Sequence, residues 1–434
     1  MQRTKLSLLL AALLAAPCSH ADDAELRARV ERLEAEVQAL TAALKQVDAK
    51  AEAIANQQEA RASASDKTVA EAAGPAFGST TIYGYGELNY SHPRASSQTQ
   101  ADLRRAVFGF GHRFDDDTRF MSEFEFEHAV ASASDRGEAE VEQFYIDHRL
   151  TQNTDLKAGL FLIPAGLLNE SHEPTHYYGV ERNFVETAII PSTWREGGVG
   201  LHGSSDFGLA WDTGVTTGFN LAKWDPSNTS ECQGSPLGCV HQEMQLANAR
   251  DLSVYGALNW RGTPGLVVGA SLFTGGAGQG GLVGQQAAAP VPVAGDRVTL
   301  WDAHARWTPD RWDVSALYAR GSISGTETYN QTLVHDSTPI PSEFFGWYTQ
   351  AAYRLWESGR RSLSPFVRYE RYNTASAYAV LPATLTPSAH PTESVASVGF
   401  NYQLNPDVVF KADYQTFQVD PTRNRFDLGL GLTY

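Results

Sequence analysis

The sequence predicts an all-β protein: a sixteen-stranded antiparallel transmembrane β-barrel preceded by an N-terminal α-helical coiled coil. Three observations predict it. Residues Phe426 to Tyr434 place Phe426, Leu428, Leu430, Leu432 and Tyr434 on one face of a strand, and Asp427, Gly429, Gly431 and Thr433 on the other. One face suits lipid and the other water, whereas the edge strand of a soluble sandwich rarely ends without a polar tail. The first residues read as a secretory signal. Between Ser79 and Tyr434, tight turns alternate regularly with long polar connections.

Taken in order, residues 1–21 are the signal peptide. Arg3 and Lys5 precede the apolar run Leu6 to Ala16, and Ser19-His20-Ala21 offers small residues for cleavage after Ala21. Cys18 is a poor lipidation site because Pro17 precedes it. Cleavage leaves Cys232 and Cys239 in a Ser/Gly/Pro-rich stretch, and an oxidising compartment pairs them as a loop-closing disulfide. A zinc site is the sharper reading of two cysteines, but only His241 lies close by.

Residues 22–55 form a coiled coil. Leu26, Val30, Leu33, Val37, Leu40, Leu44, Val47, Ala51 and Ile54 alternate in steps of four and three, about four heptads, with Glu, Arg and Lys on the flanks. Nothing else nearby in sequence can cover that seam, so the helix meets copies of itself; Val and Leu mix without rule, leaving two or three strands open. The Ala/Ser/Gln-rich residues 56–78 make a linker.

Residues 79–434 make the barrel. Tight turns fall at Asp115-Asp116-Asp117, Gln152-Asn153, Ser204-Ser205-Asp206, Thr263-Pro264-Gly265, Thr308-Pro309-Asp310, Glu357-Ser358-Gly359 and Asn405-Pro406-Asp407. Long connections fall near 91–101, 132–138, 164–195, 223–249, 275–296, 323–343, 373–393 and 418–422. Seven turns and eight loops close sixteen strands with both chain ends on the turn side, the periplasm in a bacterial outer membrane. Arg119 to Glu127 puts Phe120, Phe124 and Phe126 opposite Arg119, Glu123, Glu125 and Glu127; in Arg297 to Trp307, Trp301 and Trp307 face lipid while Asp302, His304 and Arg306 face the lumen.

Mean hydropathy is −0.31 and no run of eighteen apolar residues follows the signal, which excludes a transmembrane helix but not a barrel. The formal charge of −16 argues against nucleic acid and against docking of a basic patch on anionic lipid.

A sixteen-stranded barrel is too wide for side chains to fill, so a loop must narrow it. Pro164 to Arg195 reads as the longest connection and as a constriction loop folded into the pore, the alternative being an extracellular surface loop. Within it, His172-Glu173-Pro174-Thr175-His176 matches the HExxH pattern of zinc proteases, but Pro174 breaks the helix that pattern needs. The two histidines therefore read as hydrogen-bonding or pore-facing groups. No nucleophile elbow or phosphate loop occurs, and no metal or cofactor is implied. The competing class is a barrel hydrolase using the long loop after strand five.

The signal peptide, coiled coil and barrel plan, the long loop after strand five, the strand Phe366-Val367-Arg368-Tyr369-Glu370 and the stretch Lys411-Ala412-Asp413-Tyr414 before an aromatic terminus resemble the phosphate-selective porin O and P family. The resemblance implies a homotrimeric outer-membrane channel for small hydrophilic solutes, anions such as phosphate or carboxylates, narrowed by the third loop and by lumen bases. Candidate lumen bases are Arg105, Arg113, Arg119, Arg149, Arg306, Arg368, Lys411 and Arg425, with Arg182 and Arg195 at the constriction. The loop departs from that pattern by carrying Glu170, Glu173, Glu181, Glu186 and Glu196 against two bases, and Glu173 and Glu181 oppose anion preference.

Overall fold

The computed structural model describes residues 80–434 except 130–136, 225–228, 281, 284–290, 293–295, 333–337 and 382–389. The expected signal peptide, coiled coil and linker lie outside the described residues.

Strands β1 (Thr80–Pro93), β2 (Gln100–Arg113), β3 (Thr118–Glu127), β4 (Ala139–Thr151), β5 (Thr154–Leu162), β6 (Arg195–Ser204), β7 (Leu209–Thr216) and β8 (Ser253–Thr263) make the first half of the wall. The second half comprises β9 (Leu266–Gly276), β10 (Arg297–Trp307), β11 (Trp312–Ile323), β12 (Glu343–Tyr353), β13 (Arg361–Ala377), β14 (Glu393–Asn405), β15 (Val408–Phe417) and β16 (Arg425–Thr433). They belong to one 17-stranded sheet, whose remaining member, Trp356–Ser358, only prolongs the β12–β13 hairpin; sixteen strands therefore span. Each pairs antiparallel with the next, and β1 pairs with β16 from Tyr85 opposite Thr433 to Pro93 opposite Arg425. The barrel is closed, which removes the unpaired edges that hydrocarbon does not tolerate.

All seven tight turns lie where turn chemistry places them. Beside them stand exposed aromatics, Phe114, Phe207, Trp260, Trp307, Trp312 and Trp356, the girdle of the turn-side interface. Trp301 and Trp307 are exposed on the outer wall, as are Phe426 and Leu428, while Asp302, His304 and Asp427 are buried inside. Tyr434 exchanges backbone hydrogen bonds with Gly84, and its hydroxyl reaches the Val107 carbonyl.

One expectation is corrected. Ile163–Trp194 is not the longest connection; Thr217–Leu252, between β7 and β8, is longer, because β7 stops at Thr216 and β8 begins only at Ser253. That connection holds the Cys232–Cys239 disulfide, whose Cα atoms are 4.9 Å apart.

The interior is not uniformly polar. Phe273, Val298, Leu300, Leu317, Ala319, Ile323 and Phe344 point inward from β9 to β12 and are buried with Ile163, Val185, Ile189 and Trp194 from one loop and Phe219, Leu221, Leu237 and Val240 from another. Trp194 lies 5.3 Å from Phe219 and 4.5 Å from Phe273 between ring centroids. Each Val, Leu, Ile or Phe among them contributes about 1.5–3 kcal/mol when fully buried, so an apolar core sits inside the barrel under its long loops.

Candidate functional site

The loop Ile163–Trp194 leaves β5 and returns into β6, and its two ends are tied together. Ile163 donates its backbone N–H to the Trp194 carbonyl at 2.9 Å. Asn169 donates to the carbonyls of Ile163 and Trp194 at 2.7 and 2.8 Å and accepts from the Trp194 N–H at 2.7 Å. Between these ends the chain crosses the lumen. Its Phe184 N–H donates to Glu370 of β13 at 2.6 Å, and in a ring of sixteen β13 stands opposite β5. The Val180 N–H donates to Asp413 of β15 at 2.6 Å, and Asn401 of β14 donates to the Tyr177 carbonyl at 3.0 Å.

Glu186 organises the middle of the loop. Its carboxylate accepts from the N–H groups of Leu167 and Leu168 at 2.5 and 2.8 Å, from Asn183 at 2.8 Å and from the Tyr348 hydroxyl of β12 at 2.9 Å. Burial still keeps its pKa above the ordinary carboxylate value, although these bonds pull the other way. Beside it, Val185 and Ile189 reach Gly346 of β12, where an added Cβ would stand 3.1 Å from each side chain. Across the lumen Gly431 of β16 does the same for Pro174, with only 2.5 Å available. The glycines on the water face of the closing strand thus make room for the loop.

The bases named from sequence occupy three settings. Arg119, Arg306 and Arg149 lie toward the turns and meet Asp147 at 2.9 Å, Asp313 at 2.6 Å and Asp117 at 3.7 Å, while Arg113 is exposed opposite Arg119. Arg105, Arg368 and Arg425 line the level of the loop. Arg105 contacts Glu87, Glu125 and Glu127 at 3.3–3.7 Å. Arg368 pairs with Glu370 at 3.0 Å and donates to the Tyr178 carbonyl at 3.0 Å, and Arg425 pairs with Asp427 at 2.8 Å. Lys411 differs: it is buried, its Nζ has no hydrogen-bond partner among the described residues, and it stands 3.5 Å from the centroid of the Tyr177 ring.

Arg182 and Arg195 sit apart from these. Arg182 is buried inside the loop and donates to Ser192, Thr193 and the His172 carbonyl. Arg195 is buried between Glu140 at 2.6 Å and Glu243 at 3.1 Å. Glu181 accepts from Asn89 at 3.2 Å; burial raises its pKa, but Arg104, Arg425 and Arg105 outweigh that and hold it below the ordinary range. Glu173 meets His176 at 2.8 Å. His172 turns inward and His176 outward, on backbone that is not helical, so HEPTH does not form the two-histidine helical face of a zinc protease. Asn169, Glu186, Glu370 and Asp413 escape sequence reasoning as loop anchors, since each works on a partner many residues or many strands away.

A closed barrel with a loop hydrogen-bonded across its lumen defines the class of outer-membrane porins. Residues 78–264 match the model of the family described as phosphate-selective porin O and P. An uncharacterized protein of Aquifex aeolicus (strain VF5) is 29% identical over 346 residues, covering 77% of this chain and 74% of that one. Among solved structures, Salmonella typhi OmpF in complex with daunomycin superposes with a TM-score of 0.55 at 14% identity over 82% of this chain and 97% of that one. The outer membrane channel DcaP of Acinetobacter baumannii gives 0.52 at 12% over the same shares. At these identities the likeness is one of fold. The protein is an outer-membrane channel.

Proposed function

We propose that the protein is a passive, water-filled, non-enzymatic channel that admits small hydrophilic solutes with a mild preference for anions such as carboxylates or phosphate. The observation that carries the reading is the bond from Phe184 to Glu370, which puts the loop across the pore instead of above it. The anion preference rests on Lys411, whose buried Nζ has no hydrogen-bond partner among the described residues and, in this reading, outweighs for solute the acids Glu87, Glu181 and Asp413 that act on it; Arg105, Arg368 and Arg425 stand elsewhere on the lumen wall, each paired with a carboxylate. A solute carboxylate or phosphate supplies the acceptor that this donor lacks, and a charge near a constriction acts with little screening. Arg113 and Arg119 extend the positive lining toward the turn side.

The assembly we propose is a homotrimer, with the coiled coil of residues 22–55 in the periplasm. Reconstitution into a planar bilayer tests both parts: conductance should come in groups of three steps, and the reversal potential in a salt gradient should carry the sign of anion preference. Well-folded protein without conductance would refute the channel, and a cationic reversal potential would refute the preference.

A further inference from the structure

We propose that β3, β4 and the crossing loop together form a site for one divalent transition-metal ion, with His172, Glu142 and Glu123 as its protein ligands. One donor atom from each of the three lies within 4.8 Å of the others. A second triad, Glu125, Glu140 and Glu142, meets the same distance and shares Glu142, so further carboxylates adjoin the site.

The unpaired atoms point to a cation. Glu142 is wholly buried, and among the described residues neither of its carboxylate oxygens meets a hydrogen-bond donor; only the Glu125 carboxyl lies within hydrogen-bonding reach of it. His172 is buried too, and its Nε2 is likewise without a partner, 4.0 Å from a Glu142 oxygen. The tautomer follows from the other ring nitrogen. Nδ1 lies 2.9 Å from the Asn169 carbonyl, which can only accept, so Nδ1 carries a hydrogen, and in the neutral ring the Nε2 lone pair faces Glu142. Two acceptors then face each other with no donor between them, an arrangement that costs free energy unless a positive species lies there. The Tyr85 ring, edge-on at 5.6 Å, holds the imidazole in this orientation.

The neighbouring guanidiniums are engaged elsewhere. Arg105 contacts Glu87, Glu125 and Glu127, Arg195 is held by Glu140 and Glu243, and Arg182 is bound to Ser192, Thr193 and the His172 carbonyl. An imidazole with carboxylates is a donor set for Zn²⁺ or Mn²⁺, whereas Ca²⁺ takes oxygen alone. Drawing both donors to about 2.1 Å from one ion requires the 4.0 Å separation to close by about half an ångström. Because His172 belongs to the loop and the glutamates to the wall, the ion would pin the loop near its β5 end. This is a different site from the HExxH pattern, since His176 faces away.

The test uses the full-length protein in detergent, stripped with a chelator and dialysed against Zn²⁺ and, separately, Mn²⁺. The expected result is one ion per chain, an upward shift of the thermal unfolding transition on metal addition, and binding weakened about tenfold or more in Glu142→Gln and His172→Asn. Heat-modifiable migration on a gel shows whether each variant is folded. Should either fail to fold, Glu123→Gln, at a half-buried position, must show the same loss of affinity. Absence of stoichiometric metal in the wild type would overturn the site and leave a proton shared between Glu125 and Glu142 in its place. Equal affinity in wild type and folded variants would overturn it as well.

Discussion

Two arcs of the wall hold the same loop by different means. From β10 to β12 the inward positions toward the loop side are Val298, Leu300, Leu317, Ala319, Ile323 and Phe344, and the loop answers with Val185 and Ile189. On β1 and from β13 to β15 the inward positions are Glu87, Arg368, Glu370, Asn401 and Asp413, and the loop answers with backbone groups and the Tyr177 hydroxyl. Burial is non-directional and anchors the loop; hydrogen bonds are directional and set where its backbone stands in the lumen. The apolar arc therefore serves as foundation, and in the proposed function the polar arc is the side that meets solute.

Breaking the foundation should have the largest effect. Ile189→Ala removes a wholly buried side chain from the loop–wall contact and should cost about 2–5 kcal/mol of docking. The channel should become noisy, with a higher mean conductance, and the loop should become sensitive to added protease. A quiet channel of unchanged conductance would show that the hydrogen bonds alone suffice.

On the polar arc, Arg368→Ala leaves the Tyr178 carbonyl without its donor and Glu370 without its base. The cost should be smaller, about 1–3 kcal/mol, because Glu370 keeps the Phe184 N–H. Combining Arg368→Met with Glu370→Gln should recover part of the loss in thermal unfolding. A double variant no better than the single would mean that the pair matters only through the Tyr178 contact.

Selectivity separates the bases that meet solute from those that build the loop. Lys411→Gln should move the reversal potential toward zero or toward cations, whereas Arg182→Gln, which alters a residue bound to Ser192 and Thr193, should change stability more than selectivity. The opposite ranking would place Arg182 at the solute path and remove Lys411 from it.

Much of this fold was legible because its determinants are local. The Asp115-Asp116-Asp117 turn has Asp115 accepting from the N–H groups of Asp117 and Thr118, a reason readable in the sequence itself. Period-two alternation likewise marks Trp301 for lipid and Asp302 for the lumen. The path of the loop was not legible, because the bond from Phe184 to Glu370 joins residues far apart in the chain, and only closure of the barrel brings them face to face. A trace of it was present. The lumen face of β10 changes from Val298 and Leu300 to Asp302 and His304, and a water-filled pore gives no cause for that change unless something apolar lies against its upper half. The two glycines on the water face of β16 carry the same message. Arg182 and Arg195 illustrate the limit from the other side, since charge alone does not reveal whether a guanidinium points at solute or at the carbonyls and carboxylates of its own loops.

The smallest effect concerns the loops above the apolar arc. Asp296, just before β10, is buried, with one carboxylate oxygen that has no hydrogen-bond partner among the described residues; burial first, and then Glu327, raise its pKa to about 7. A carboxyl whose folded pKa lies above its unfolded value holds its proton more tightly when folded. Its contribution to stability is therefore fully present below about pH 4, the ordinary aspartate range, and is lost as pH rises through 7. Asp296→Asn removes the ionisation, so the variant should unfold at a higher temperature than the wild type at pH 8, with the difference shrinking or reversing at pH 5. Thermal unfolding of the two proteins at both pH values measures the contrast. An equal difference at pH 5 and pH 8 would show that Asp296 keeps one protonation state across that range and that the apolar arc gains nothing from its proton.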